Sequence, residues 1–133
     1  MILLDTHVLL WADQDSERLG SETRRTVDSA FAESGVAVSA IAFWEIAMLR
    51  QKARLKTSLD LASWRRDLLT AGLVELAVDG ATGIEATRLE QLHGDPADRI
   101  ILATAIRNGA TLLTADQRLL DWPGTLPRQD ARN

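Results

Sequence analysis

Short apolar runs alternate with amphipathic stretches along most of this 133-residue chain. That alternation is typical of βαβ units, in which helices connect the strands of a mostly parallel sheet. The sequence therefore predicts an α/β fold with a mostly parallel sheet. Strands are expected at residues 2–4, 36–39, 73–78 and 110–114, and a fifth candidate lies near Leu126.

The amphipathic stretches predict the helices between these strands. Helices are expected at residues 6–13, 21–34, 40–52, 58–71, 82–92 and 96–108, with a short one after Ala115. Ser58 is a candidate N-cap of the fourth helix, and Gly72 is a candidate C-terminal stop. Asp95 and Pro96 are expected to open the sixth helix, and Gly109 to close it.

Length and composition fit one domain over residues 1–133, with residues 128–133 as a loose tail. The absence of cysteine excludes disulfides, thiolate nucleophiles and zinc held by cysteine. No apolar run reaches the length of a membrane span, and residues 1–5 lack the basic start of a signal peptide. We therefore expect a cytoplasmic protein with no membrane association.

Four acidic residues lie close to predicted strands, mostly where a strand ends. Asp5 closes the first strand, and Glu45 lies on the helix after the second. Asp98 opens the helix before the fourth strand, and Asp116 follows that strand by two residues. Because right-handed crossovers bring the carboxyl ends of parallel strands to one edge of the sheet, these four carboxylates are expected to converge on one cleft.

Carboxylates at such range need a positive partner, because each raises the pKa of the others. With no cysteine and only His7 and His93 as imidazoles, the donor set indicates an oxygen-ligated hard cation, Mg²⁺ or Mn²⁺, rather than zinc. Neither histidine is predicted to be catalytic, because no serine or cysteine partner pattern accompanies them. A divalent ion in such a cleft can activate water against a phosphodiester.

Each of these acids also has a structural explanation. Asp5 can cap the helix that follows it, and Asp116 can cap the short helix after the fourth strand. Asp95 is interpreted as an N-cap, and Asp98 would favour the same helix dipole. Glu45 is the most informative acid, because it lies in a nearly apolar helix where a lone carboxylate is costly without a partner.

The charge distribution favours a polyanionic substrate despite the net charge of −4. Setting aside five of the 19 acidic residues, the four above and Asp95, leaves 14 against 15 Lys and Arg. Residues 50–66 contain six basic side chains and the single acid Asp60. We expect Arg50, Lys52 and Arg54 to hold a phosphate backbone, although a solvated helix face explains the same run.

The chain contains four tryptophans and no tyrosine. Trp11, Trp44, Trp64 and Trp122 are expected to fill the core or a dimer face rather than to stack on bases. Trp11 and Trp64 are the candidate interface anchors.

Four segments together resemble motifs of the PIN domain, and specifically of VapC-type toxins. They are LLDTHVLLW at 3–11, SAIAFWEI at 39–46, HGDPADRIILATA at 93–105 and LTAD at 113–116. The resemblance runs in order from residue 2 to about 122. It implies a three-layer α/β/α fold with a mostly parallel sheet of four or five strands.

The resemblance also implies a magnesium-dependent ribonuclease whose acids are Asp5, Glu45, Asp98 and Asp116. Asp5 and Asp98 would be the closest metal ligands, and the other two would complete the pocket directly or through water. Thr114 matches the small hydroxyl residue before the last acid and is grouped with the substrate contacts. Proteins of this type usually form homodimers, and a small antitoxin places a basic side chain in their acidic pocket.

Our hypothesis is that metal-bound water attacks an RNA phosphodiester in line. A phosphotransfer module of the receiver or haloacid-dehalogenase kind fits less well. A dehalogenase needs a second Asp two residues after the first, where this chain has His7, and a receiver needs a late lysine, whereas the only lysines are Lys52 and Lys56. The alternative from another class is a non-catalytic PIN-like module that binds nucleic acid or protein.

Overall fold

The computed structural model describes residues 1–52, 55 and 60–133, which form five strands and seven helices. The strands are β1 (Ile2–Leu4), β2 (Val36–Ser39), β3 (Val74–Leu76), β4 (Thr111–Thr114) and β5 (Arg128–Asp130). The helices are α1 (Thr6–Asp13), α2 (Ser21–Ala32), α3 (Ile41–Gln51), α4 (Leu61–Ala71), α5 (Gly80–Thr87), α6 (Pro96–Arg107) and α7 (Gln117–Leu120).

The strands form one parallel sheet in the order β3-β2-β1-β4-β5. Successive side chains of the central strand point to opposite faces, so Leu3 and Leu4 enter different core clusters. Leu4 packs with residues of α1 to α4, whereas Leu3 packs with residues of α5, α6 and α7. The α/β/α architecture with a parallel sheet is therefore confirmed.

The register of β1 against β4 fixes the carboxyl edge of the sheet. Leu4 lies opposite Leu113, and the backbone N–H of Asp5 donates to the Leu113 carbonyl at 3.0 Å. Asp5 therefore leaves the sheet beside Thr114, the last residue of β4. This pairing brings two segments more than a hundred residues apart to one edge.

Several predicted helix ends agree with the structure. The Asp95 side chain caps α6 by accepting from the Asp98 N–H at 3.1 Å, and Gly72 and Gly109 adopt positive φ after α4 and α6. Ser58 lies outside the described residues, and α4 begins at Leu61.

The prediction of a helix over 82–92 is wrong at both ends, because α5 runs from Gly80 to Thr87. Asp79 caps its start by accepting from the Thr82 N–H at 2.8 Å. At its end, the guanidinium of Arg99 donates to the carbonyl of Ala86 at 3.0 Å. Side chains therefore satisfy backbone groups at both ends of a shorter helix.

The expectation of a loose tail over 128–133 is also wrong. Residues 128–130 form the edge strand β5, and Ala131 is fully buried. Gly20 permits this docking, because a Cβ at that position would lie 2.0 Å from the Asn133 carbonyl carbon. The Thr23 N–H donates to the Asn133 carbonyl at 2.9 Å, which joins these last residues to α2.

Within the described ranges, none of the helices combines the length and apolar character needed to cross a bilayer.

Arg128 holds the edge strand in place. Its guanidinium donates to the carbonyls of Trp122 at 2.6 Å and Leu119 at 2.8 Å, and it lies 5.7 Å from the Trp122 ring centroid. We expect Arg128→Ala to lower the free energy of unfolding by about 1 to 3 kcal/mol, because half-buried carbonyls lose their donors. Urea denaturation measures this change.

Arg132→Ala is the matched control for that variant. Arg132 pairs with Asp130 at an exposed position, where an ion pair contributes little to stability. An equal loss of stability in both variants would contradict the role assigned to Arg128.

Candidate active site

The four predicted carboxylates line one cavity of about 330 Å³ at the carboxyl edge of the sheet. Asp5 directly follows β1, Glu45 lies on α3, Asp98 lies on α6, and Asp116 follows β4. Among the described residues, the lining consists of Asp5, His7, Trp11, Glu45, Asp95, Asp98, Ala115, Asp116 and Arg118.

Asp5 is the most deeply buried acid of this cavity, with 6% of its surface exposed. Its Oδ2 accepts a hydrogen bond from the Thr114 hydroxyl at 2.6 Å. Burial raises the pKa of Asp5 above its ordinary value, and the Thr114 hydrogen bond offsets only part of that effect. Within the described residues, the Asp5 side chain makes no N-capping hydrogen bond to α1, so capping does not explain this residue.

Glu45 has the partner that its apolar helix requires. The Thr6 hydroxyl donates to Oε1 of Glu45, which joins the first turn of α1 to α3. Burial raises the pKa of Glu45, the Thr6 hydrogen bond lowers it less, and the charge of Asp5 raises it further. The carboxylate is therefore held in place, while burial makes its ionisation less favourable than in water.

Asp98 lies in the first turn of α6 and is 7% exposed. Its Oδ2 lies 2.8 Å from Nε2 of His93. Burial raises the pKa of Asp98, and the contact with His93 lowers it by less. Asp98 thus resembles Asp5, because both are buried acids that one polar neighbour orients.

Asp116 combines the capping role with a place in the cavity. Its Oδ1 accepts from the Arg118 N–H at 2.9 Å at the start of α7, and its Oδ2 lies 2.9 Å from Nη2 of Arg118. Burial opposes ionisation, but the hydrogen bonds and charge of Arg118 outweigh it and lower the pKa of Asp116. The same guanidinium lies 3.6 Å from Oδ2 of Asp98.

The donor set of the cavity fits a divalent cation. One ligand atom from each of His93, Asp98 and Asp116 can be chosen so that all three lie within 4.8 Å of one another. Burial raises the pKa of Asp5, Glu45 and Asp98, and the hydrogen bonds that these acids accept offset only part of that effect. A bound cation would offset the rest.

Comparison with known proteins identifies the family. The family model of the PIN domain matches residues 2–123. The chain belongs to the PIN domain family. This PIN domain is 33% identical over 122 residues to Ribonuclease VapC22 of Mycobacterium tuberculosis, covering 89% of this chain and 88% of that protein.

Solved structures share the fold of this PIN domain at lower sequence identity. A DNA-bound VapBC from Salmonella typhimurium aligns with a TM-score of 0.69 at 17% identity, covering 98% of each chain. A toxin-antitoxin complex from Klebsiella pneumoniae aligns with a TM-score of 0.65 at 19% identity, also covering 98% of each chain.

Two side chains that contact the acids of this PIN domain site, those of His93 and Arg118, were not among the predicted site residues. His93 contacts Asp98, and Arg118 contacts both Asp98 and Asp116. His93 precedes Asp98 by five residues in the same motif segment, and this closeness in sequence could have indicated their contact. Arg118 follows Asp116 by two residues and had no distinguishing signal, because arginine is common on exposed helical turns.

The predicted substrate contacts lie in different surroundings. Thr114 is fully buried, and its hydroxyl donates to Asp5. Lys52 lines a groove of about 220 Å³ with Trp44 and Met48, and this groove shares Glu45 with the acidic cavity.

The structure also gives the surroundings of several other basic and aromatic residues considered in the sequence. Arg50 is exposed near the end of α3, and Arg54 lies outside the described residues. Trp64 is a core residue whose Nε1 donates to Asp13 at 3.0 Å, so it is not an exposed interface anchor. Trp44 is 52% exposed and does not fill the core.

The raised pKa of Asp5 has a consequence for stability. A carboxyl whose pKa is raised by folding stabilises the fold below its ordinary pKa of 3.8, and that stability is lost as the pH rises through the raised value. Asp5→Asn is therefore expected to raise the Tm of chelator-treated protein at neutral pH. The difference from the unmodified protein should shrink as the pH falls, and thermal melts across a pH series measure it.

Asp79→Ala is the control with the opposite sign. Asp79 accepts the Thr82 N–H, and this hydrogen bond lowers the pKa of Asp79, so its loss should reduce stability at neutral pH. A lower Tm for Asp5→Asn at neutral pH would contradict the assignment of uncompensated charge to the cavity.

Proposed function

We propose that this chain is a metal-dependent endoribonuclease that hydrolyses RNA phosphodiester bonds and is the toxin of a toxin-antitoxin pair. The observation that carries the proposal is the convergence of Asp5, Glu45, Asp98 and Asp116 on one cavity in a PIN domain. The 33% identity to a protein named a ribonuclease supports the choice of RNA as the substrate.

Asp5 and Asp98 would hold the ion, and Glu45 and Asp116 would complete the pocket. The proposed ion is Mg²⁺, with Mn²⁺ as a substitute, because carboxylate oxygens suit both. When bound, it would supply an activated water and neutralise charge on the phosphate.

The protein contributes fixed positions for these acids. Thr114 holds one oxygen of Asp5, so its other oxygen keeps a defined direction towards the cavity. Thr6 does the same for Glu45 across two helices. This preorganisation lowers the cost of bringing the reacting groups together.

Substrate contacts outside the acidic cavity belong to the adjoining groove. Lys52 lies there beside the exposed Trp44, in a position to face a phosphate next to the cleavage site. Arg50 and Arg54 remain proposed backbone contacts from the same basic stretch. Contacts of this kind would bind RNA without reading its bases.

The proposed partners are a small antitoxin and a second copy of the chain. The solved relatives described as VapBC or toxin-antitoxin complexes support the antitoxin. Arg118 already shows that this cavity accommodates a guanidinium beside Asp98 and Asp116. Growth arrest on expression, relieved by co-expression of a short protein encoded immediately upstream, would test the pairing, and ultracentrifugation would test the homodimer.

Removing either central acid should abolish cleavage. We expect Asp5→Asn and Asp98→Asn to reduce Mg²⁺-dependent hydrolysis of RNA to background, because each removes a charge that the ion requires. Circular dichroism should show an unchanged fold. Cleavage of labelled RNA with and without chelator is the measurement.

Asp67→Asn is the matched control, because Asp67 is exposed on α4 and lies outside the cavity lining. Its cleavage rate should equal that of the unmodified protein. Full activity of the Asp5 or Asp98 variant would overturn the nuclease proposal. If cleavage and metal-linked stabilisation were both absent from the unmodified protein, a non-catalytic binding module would be favoured.

A further inference from the structure

His93 lies where it can contribute a nitrogen to the metal site. Its side chain is 18% exposed, and Nε2 lies 2.8 Å from Oδ2 of Asp98. Donor atoms from His93, Asp98 and Asp116 can be chosen within 4.8 Å of one another, a spacing that one ion can bridge. An imidazole nitrogen therefore lies beside two of the carboxylates that line the acidic cavity.

Arg99 holds the backbone of the loop that carries this imidazole. Its guanidinium donates to the carbonyls of Leu89 at 2.7 Å, Leu92 at 3.0 Å and His93 at 3.2 Å. Arg99 directly follows Asp98 on α6, so one helix carries the acid and also holds the loop that carries His93. A half-buried arginine that satisfies several carbonyls keeps these two side chains in a fixed relation.

The guanidinium of Arg118 already faces two carboxylates of this cluster. Arg118 lies 2.9 Å from Asp116 and 3.6 Å from Asp98, and its side chain is 60% exposed. An exposed guanidinium can move into solvent at little cost. The carboxylates of the cluster are thus arranged to receive a cation, and Arg118 is the protein's own occupant of that place.

We propose that His93 is a nitrogen ligand of the metal site, together with Asp98 and Asp116, and that it makes the site prefer Mn²⁺ and similar transition-metal ions over Mg²⁺. The inference rests on the proposed function, because it refines the metal choice of that site. Imidazole nitrogen suits transition metals, whereas Mg²⁺ favours oxygen ligands and retains water. In the binding form, the proton of the neutral ring is on Nδ1.

A simpler role for His93 predicts a different result. If the ring only orients Asp98 through a hydrogen bond, its loss should weaken the binding of Mg²⁺ and Mn²⁺ by the same factor. A nitrogen ligand instead weakens Mn²⁺ binding selectively and leaves a nitrogen signature in the spectrum of the bound ion.

The experiment uses the full chain and its two histidines, His7 and His93. His7 lines the acidic cavity but is outside the cluster of His93, Asp98 and Asp116, so His7→Gln is the matched control for His93→Gln. Calorimetry should show that His93→Gln weakens Mn²⁺ binding by about tenfold or more and Mg²⁺ binding by much less. His7→Gln should leave the ratio of the two affinities unchanged.

Pulsed electron paramagnetic resonance gives a readout that does not depend on a His93 variant. In the His7→Gln protein, His93 is the single remaining histidine, so histidine labelled with ¹⁵N reports on it alone. Bound Mn²⁺ should show coupling to that nitrogen.

Equal weakening of both ions in His93→Gln, or no nitrogen coupling in the labelled protein, would overturn the inference. If the unmodified protein cleaves RNA with a divalent ion and shows no such coupling, the inference alone fails. If the unmodified protein binds neither ion, the proposed metal-dependent function fails with it.

Discussion

The parallel pairing of β1 with β4 is the constraint on which the rest of the site depends. It places Asp5 one residue beyond Leu4, beside the Thr114 hydroxyl. Because side chains alternate along a strand, a slip of one residue would exchange the faces of Leu3 and Leu4 and turn Asp5 away from the cavity. The two core clusters oppose that slip, since each requires its own leucine. Packing on both faces of the sheet therefore fixes the position of a buried acid.

Burying carboxylates at this edge of the sheet makes their ionisation less favourable, and the protein's own hydrogen bonds offset that effect only in part. Hydrogen bonds from Thr114 and Thr6, and the contact between His93 and Asp98, lower the pKa of their respective acids, but burial raises it by more. Asp116 differs because Arg118 pairs with it and lowers its pKa. Of the four acids predicted for the site, one thus has its charge compensated by an arginine, and three have only partial compensation. Such an arrangement is poor for stability alone and suits the binding of a cation.

Sequence reasoning located the buried elements well, because apolar runs, the Asp–Pro pair and the glycines that follow helices can be recognised in the local sequence. β1, β2, β4 and α6 follow from such signals, and the partner required by Glu45 was found in Thr6. The fifth strand was expected only near Leu126, whereas β5 is Arg128–Asp130, because an edge strand needs few apolar residues and its stability comes from Arg128 and from pairing with β4. The contacts of Thr114 and Arg118 depend on tertiary neighbours that no local pattern specifies.

Capping and metal binding are not competing explanations for the acids at this edge of the sheet. Helix N-termini face the carboxyl edge of a parallel sheet, so an acid that caps a helix there also lies beside the cavity. Asp116 caps α7 with Oδ1 while Oδ2 faces Arg118, and Asp95 caps α6 so that Asp98 is fixed one turn further on. At Asp116, the backbone N–H of Arg118 binds one carboxylate oxygen, and the other oxygen is available to a cation. The cap therefore orients the ligand.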